Sequence, residues 1–276
     1  MKLFHKVAIV GTGLIGGSLA LAIKERHLAD FVVGVSRHKE TLGKAKARGA
    51  IDQGSLSLGI IKGADLVVLA VPVKKILGLA PAIAKIIAKD CVVTDTGSTK
   101  EEICCRLSKI FPHFIGSHPL AGSEKRGIVN ADERVFQGTL CILTPIPKPS
   151  RRALGKLKLL WSGLGAKTVL LSPAEHDRIL SFTSHLPHAL AFSLISSVPG
   201  EFFKFSSGGL RDTTRIASSD AELWADIFLS NRKKLLKAIS LFQGKLSFLK
   251  SAVSSRDSAA LVKFLKSAKE KRDGLI

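Results

Sequence analysis

With 276 residues the chain is long enough for two domains with sizeable cores, and 46% hydrophobic residues with 24 glycines exclude a disordered chain and suit a globular α/β protein. The formal net charge of +20 attracts anions of any kind, from phosphorylated cofactors and carboxylate substrates to nucleic acid and acidic membranes, but no basic-plus-aromatic stripe accompanies it, so a dedicated nucleic-acid site is not expected. Cys91, Cys104, Cys105 and Cys141 lack CxxC spacing and read as thiols in a reducing, cytoplasmic compartment, which excludes a disulfide framework and a metal site.

The uncharged run from Val7 to Ile23, preceded by Lys2 and Lys6, has the outline of a signal peptide. A strand, a glycine turn and a helix account for its glycines as well, so the run is assigned to the mature protein and no membrane association is expected. Lys6–Val10 is then a strand, and Gly11, Gly13 and Gly16 fit G-x-G-x-x-G. The first glycine permits the turn, the second lets backbone approach a pyrophosphate, and the third packs helix on strand. A helix opening near Leu14 and Ile15 directs its N–H groups at the phosphates. A second strand, Phe31–Val35, follows at the distance a Rossmann-type domain requires. Its tip reads Ser36-Arg37-His38-Lys39, with no acid before Glu40 to hold a ribose 2′-hydroxyl. Ser36 and the fork of Arg37 suit a 2′-phosphate, which predicts NADP over NAD; Arg37 lying over the adenine would permit both.

Ala64–Val71 is a buried parallel strand closed by Pro72, and Asp90–Thr94 is another. Val71, Pro72 and the segment Asp95-Thr96-Gly97-Ser98-Thr99-Lys100 lie at strand ends, where open α/β sheets bind ligands. Ser98 precedes Glu101 and Glu102 and is a candidate helix N-cap, a ligand-facing hydroxyl, or both. A strand at His113–Gly116 delivers His118, set among small residues before Pro119, to the same edge. Such an imidazole accepts a proton near neutral pH. Leu140–Thr144 adds a strand, Lys156–Leu160 is helical, and Lys167–Leu171 completes a first domain over 1–171.

From Ser172 the character changes. Ser172-Pro173-Ala174-Glu175 is a capping box with proline at the first helical position, opening a helix towards Pro199-Gly200. His185 and His188 share a face with Ser184, and Pro187 between them is expected to kink the helix. Without a third ligand the two histidines read as hydrogen-bonding groups at a cleft. Ser207 to Arg215 places Arg211 and Arg215 four apart; one clamps a carboxylate, or pairs with Asp212. A second capping box, Ser219-Asp220-Ala221-Glu222, opens a helix running through Trp224, Phe228 and Leu235 to Ile239. Its apolar residues cover more than one face, which predicts burial on several sides by helices interleaved between two subunits. Lys263–Arg272 is a basic amphipathic helix.

Gly11–Ala20, Asp95–Lys100, Gly116–Glu124, Ser184–His188 with the upstream Glu175-His176-Asp177, and Gly208–Asp220 together resemble the prephenate/arogenate dehydrogenase family of tyrosine biosynthesis. The resemblance spans essentially the whole chain; its specific segments are His-Pro-Leu-Ala-Gly and Gly-Gly-Leu-Arg-Asp-Thr-Thr-Arg with Trp224 downstream. It implies an N-terminal nucleotide-binding domain and an all-α dimerisation domain over 172–276, without an appended regulatory or mutase domain. The implied substrate, prephenate or arogenate, is a cyclohexadienol with a ring carboxylate. His118 would take its hydroxyl proton, Ser98 would bond the same hydroxyl, and Arg215 would bind a carboxylate. Ser184, His185, His188 and Trp224 would line the pocket, with Glu124 and Asp212 as a polar gate.

Overall fold

The computed structural model describes residues 2–122, 125–147 and 149–275. In chain order the first half consists of β1 (Phe4–Val10), α1 (Leu14–Glu25), β2 (Ala29–Val35), α2 (Lys39–Ala47), β3 (Gln53–Ser55), β4 (Leu66–Leu69), α3 (Val73–Ala84), β5 (Val92–Asp95), α4 (Glu101–Leu107), β6 (Gly116–Pro119), β7 (Leu140–Thr144), α5 (Arg151–Gly163) and β8 (Lys167–Leu170). Strands β1 to β5 form one parallel sheet in the order β3-β2-β1-β4-β5, and β6-β7-β8 form a second. The two-residue alternation of the strands feeds two cores. Val7, Ile9, Leu66 and Val68 face α1 and α5, while Ala8, Val10, Val67 and Leu69 face α3 and α4.

The segment carrying His118 joins the sheets. Val93 donates to the His113 carbonyl and Ile115 to that of Val93, so the chain first runs along β5. It then pairs antiparallel with β7, opposing His118 to Ile142. The regular strand is therefore Gly116–Pro119 rather than His113–Gly116, and His118 sits within it. A buried polar chain pins it from below. Trp161 Nε1 donates to Ser117 Oγ at 3.2 Å, and that hydroxyl lies 2.7 Å from Thr94 Oγ1.

The second half is helical: α6 (Pro173–Leu180), a π turn over Ser181–His185, α7 (Leu186–Ser197), α8 (Gly208–Thr214), α9 (Ala221–Ser230), α10 (Arg232–Ser254) and α11 (Ser258–Asp273). Ser172 caps α6 as expected, its hydroxyl accepting from Glu175 N. Two expectations change here. The irregularity expected at Pro187 lies one turn earlier, as the π turn over Ser181–His185. One wide turn absorbs the missing proline N–H, which is a common cause of such bulges. The helix expected through Ile239 breaks at Asn231, and its cap is Asp220, whose Oδ1 accepts from Leu223 N at 2.7 Å. Its apolar surface is only partly covered within one chain: Trp224, Ile227 and Leu235 are buried, whereas Leu229 and Leu236 are exposed.

The halves are joined by helix caps. Asp177 of α6 accepts from Lys100 N at 2.7 Å and Glu101 N at 2.9 Å at the start of α4. Asp226 of α9 accepts from Lys74 N at 3.2 Å at the start of α3. Ser98 is not the cap of α4; the carboxylate of Asp177 satisfies those donors from the other domain. Lys234 pairs with Glu101 across the same junction.

Candidate active site

A cleft of about 570 Å³ opens between the halves. Of the predicted residues it brings together Gly13, Leu14, Ile15, Val71, Pro72, Ser98, His118, His188, Arg215 and Trp224. Gly11 and Gly16 lie behind the turn. A Cβ on Gly16 would sit 1.9 Å from the Gly11 carbonyl oxygen, and one on Gly11 would sit 2.3 Å from that of Ala70. A Cβ on Gly13 would meet nothing within 4 Å. The turn is thus packed shut on its protein side and open on the other, as a cradle for a pyrophosphate at the N-terminus of α1 must be. Its residues fit a dinucleotide.

The tip of β2 lies outside the cleft lining. Ser36 Oγ accepts from His38 N at 3.3 Å, and Arg37 is exposed. The nearest acid, Glu40, is engaged by Lys44 at 2.5 Å on α2.

His118 is 9% exposed and its imidazole is the end of a relay. Its Nδ1 lies 2.8 Å from His176 Nε2, and His176 Nδ1 lies 2.7 Å from Asp177 Oδ1. Asp177 already accepts two backbone N–H groups, so it acts as an acceptor and His176 carries its proton on Nδ1. His176 Nε2 is then an acceptor, His118 must donate from Nδ1, and the lone pair of His118 is left on Nε2, away from His176. Burial holds the His118 pKa well below 6.5, aided by the electrostatic influence of neighbouring His176, Lys100 and His185. Burial also lowers His176, against the pull of its bond to Asp177. At neutral pH His118 is therefore an unprotonated base in a fixed tautomer.

Beneath the relay, fully buried Lys100 pairs with fully buried Asp95, which also accepts from Gly97 N at 2.8 Å. Burial raises the Asp95 carboxyl, while Lys100 opposes that shift. This pair shapes the turn that carries Ser98.

The two histidines after α6, His185 in the π turn and His188 in α7, diverge. His188 stacks on Trp224 with centroids 3.5 Å apart, and its Nδ1 bonds the Ser184 carbonyl at 2.9 Å, which turns the rest of the ring to the cleft. His185 is fully buried and lies 3.1 Å from Asn231 Nδ2; burial depresses its pKa to about 4. Neither His185 nor Ser184 lines the cleft within one chain. Asp212 is exposed on α8 outside the lining, and Glu124 lies outside the described residues. Among the described residues no cluster of ligands could hold a metal ion. His176 and Asp177 belong to a resembling segment but carry no assigned role from sequence, and Asn231 is not marked by it. Besides that resemblance, the signal for His176 and Asp177 is an imidazole next to a carboxylate in the first turn of a capped helix.

Two family models match in series: the prephenate dehydrogenase nucleotide-binding domain over residues 19–170 and the prephenate dehydrogenase dimerization domain over 172–267. The prephenate dehydrogenase of Bacillus subtilis is 36% identical over 98% of this chain and 76% of its own length. The crystal structure of A. aeolicus prephenate dehydrogenase with hydroxyphenyl propionate and NAD+ superposes with a TM-score of 0.94 at 35% identity, over 99% of this chain and 98% of that one. Synechocystis arogenate dehydrogenase superposes at 0.84 with 30% identity, over 98% of this chain and 100% of that one.

Proposed function

The chain belongs to the prephenate dehydrogenase family, and from that premise we propose that it oxidatively decarboxylates prephenate or arogenate with NADP, in L-tyrosine biosynthesis. The observation that carries this reading is the relay Asp177–His176–His118, which ends in a neutral imidazole at the cleft. His118 Nε2 accepts the proton of the substrate hydroxyl as hydride leaves the same ring carbon. A nicotinamide held at the glycine turn would supply the hydride acceptor. The ring carboxylate then departs as carbon dioxide and its bonding electrons complete the aromatic ring. Ser98, facing the same cleft, donates to or accepts from the hydroxyl and orients it. Arg215 binds a substrate carboxylate as a planar fork, and His188 and Trp224 form an apolar and polar wall beside it. Ser184 and His185 support that wall from behind, and Asp212 is assigned to the mouth. The test is steady-state kinetics with prephenate and arogenate crossed with NADP and NAD. Turnover of one or both substrates is expected, and none with simple hydroxy acids; the reverse pattern would remove the assignment.

The choice of NADP rests on the β2 tip, where Ser36 and Arg37 stand without an acid and Glu40 is held by Lys44. Arg37→Ala is expected to raise the KM for NADP on the order of 10–100-fold, the loss of a charge-assisted bond to phosphate. The KM for NAD should barely move. Equal losses with both cofactors would mean that Arg37 stacks on adenine instead.

We divide the chain into a nucleotide-binding domain over 1–171 and a helical substrate and dimerisation domain over 172–276. A homodimer is favoured by the apolar side chains that α9, α10 and α11 leave exposed, among them Leu229, Leu236, Phe248 and Leu265. We place the protein in the cytoplasm, a reading supported by its four free cysteines, three of them buried. No described helix is long and apolar enough to cross a membrane.

A further inference from the structure

The cleft holds one ion pair that the chemistry above does not use. Arg126 Nη2 lies 2.6 Å from Asp220 Oδ2, and both residues line the cleft with His118 and Arg215. The two partners are anchored differently. Asp220 is tied to α9 as its cap, and its side chain is 21% exposed. The Arg126 side chain is 67% exposed. Asn130 Nδ2 donates to the Arg126 carbonyl at 2.6 Å, and Gly127 turns the chain at φ +79°. Arg48 holds the following turn by donating to the carbonyls of Ile128 and Ala131. A turn held by these bonds therefore presents an exposed guanidinium. Ion pairs this exposed are weak and exchange readily. Among the described residues lining the cleft, Asp220 is the only carboxylate, against Lys125, Arg126 and Arg215.

The inference rests on the function proposed above, whose substrate carries two carboxylates, one on the ring and one on the side chain. Arg215 serves one of them. We propose that Arg126 is the ligand for the other, its guanidinium exchanging Asp220 for the substrate, so that Asp220 is a built-in competitor that sets the affinity. The planar fork suits a carboxylate in either state.

The two partners then have effects of opposite sign on the KM for prephenate. Arg126→Ala is expected to raise it about tenfold with little change in kcat, as loss of one charge-assisted contact made equally in ground and transition states. Asp220→Asn keeps the α9 cap, since asparagine caps as well as aspartate. It is expected to lower the KM about threefold by releasing Arg126. In the double variant the gain should vanish and the KM should match that of Arg126→Ala. If the pair is only a strut between loop and helix, both single variants raise the KM, and that result overturns the inference while leaving the function intact. If the unaltered protein turns over neither prephenate nor arogenate, the functional reading falls and takes the inference with it.

Discussion

His118→Asn is expected to lower kcat by about 10²–10⁴, the usual contribution of a positioned base, with the dissociation constant for NADP changed by less than about twofold. The asparagine amide can still bond a hydroxyl, but it cannot take up the proton as the hydride departs. Because the imidazole lies at the cleft wall and not on the glycine turn, cofactor affinity is the internal control. The pH dependence carries a second check. The base is active when neutral, and burial holds its pKa well below 6.5. Hence kcat/KM in the unaltered protein should stay flat as pH falls from 7.5 through 6.5, and decline only below that, where His118 becomes protonated. An acid limb centred at or above 6.5 would show that His118 is solvated or is not the base. Loss of NADP binding in the asparagine variant would place His118 on the cofactor instead.

The nucleotide-binding half was legible because its constraints are local. Gly11, Gly13 and Gly16 are required by contacts within the turn itself, and a run such as Leu66–Leu69 is apolar throughout because both faces of a parallel strand are covered. The same locality made the Ser172 cap readable. The misreadings involve partners far away in sequence. Ser98 has the spacing of a cap, but the donors of α4 go to Asp177, some eighty residues on. His118 was expected beyond the end of a strand, but β7 pairs with it and extends the strand through Pro119. Asn231 lies in a continuous helical pattern, and the helix breaks there because its amide bonds the Asp177 carbonyl at 2.8 Å and approaches His185. Propensity does not encode such contacts.

Those distant contacts also explain how the site is held. The helical domain docks through two carboxylates, Asp177 and Asp226, each placed on the N–H groups at the start of a helix in the other domain. Helix N-termini carry partial positive charge, so both contacts are electrostatically favourable as well as hydrogen-bonded. Asp177 adds a third donor, His176, and one side chain thereby couples domain docking to the tautomer of the base. Misalignment of the domains would disturb the chemistry directly, without any change in the cleft residues themselves.

Asp177→Asn isolates that coupling. Three donors converge on the carboxylate: His176 and Lys100 N on Oδ1, and Glu101 N on Oδ2. An asparagine has one acceptor oxygen. With the oxygen kept towards His176, its NH₂ opposes Glu101 N–H; turned round, the NH₂ faces Lys100 N–H and His176, which must then move its proton to Nε2. In that second arrangement the reversal passes along the relay and leaves His118 with N–H, not a lone pair, in the cleft. In both, the negative charge that favours a protonated relay is gone. We expect kcat to fall by about 10²–10⁴, the upper end being the loss seen when an aligning carboxylate is neutralised in a hydrogen-bonded catalytic chain. Stability should drop by only about 1–3 kcal/mol in denaturant unfolding, because one helix N–H still finds an acceptor and asparagine remains a good cap. A carboxylate that merely docks the domains predicts a different outcome, with the same modest stability loss but kcat within about threefold of the unaltered protein. The ratio of the two effects therefore decides whether Asp177 acts on the base or only on the fold.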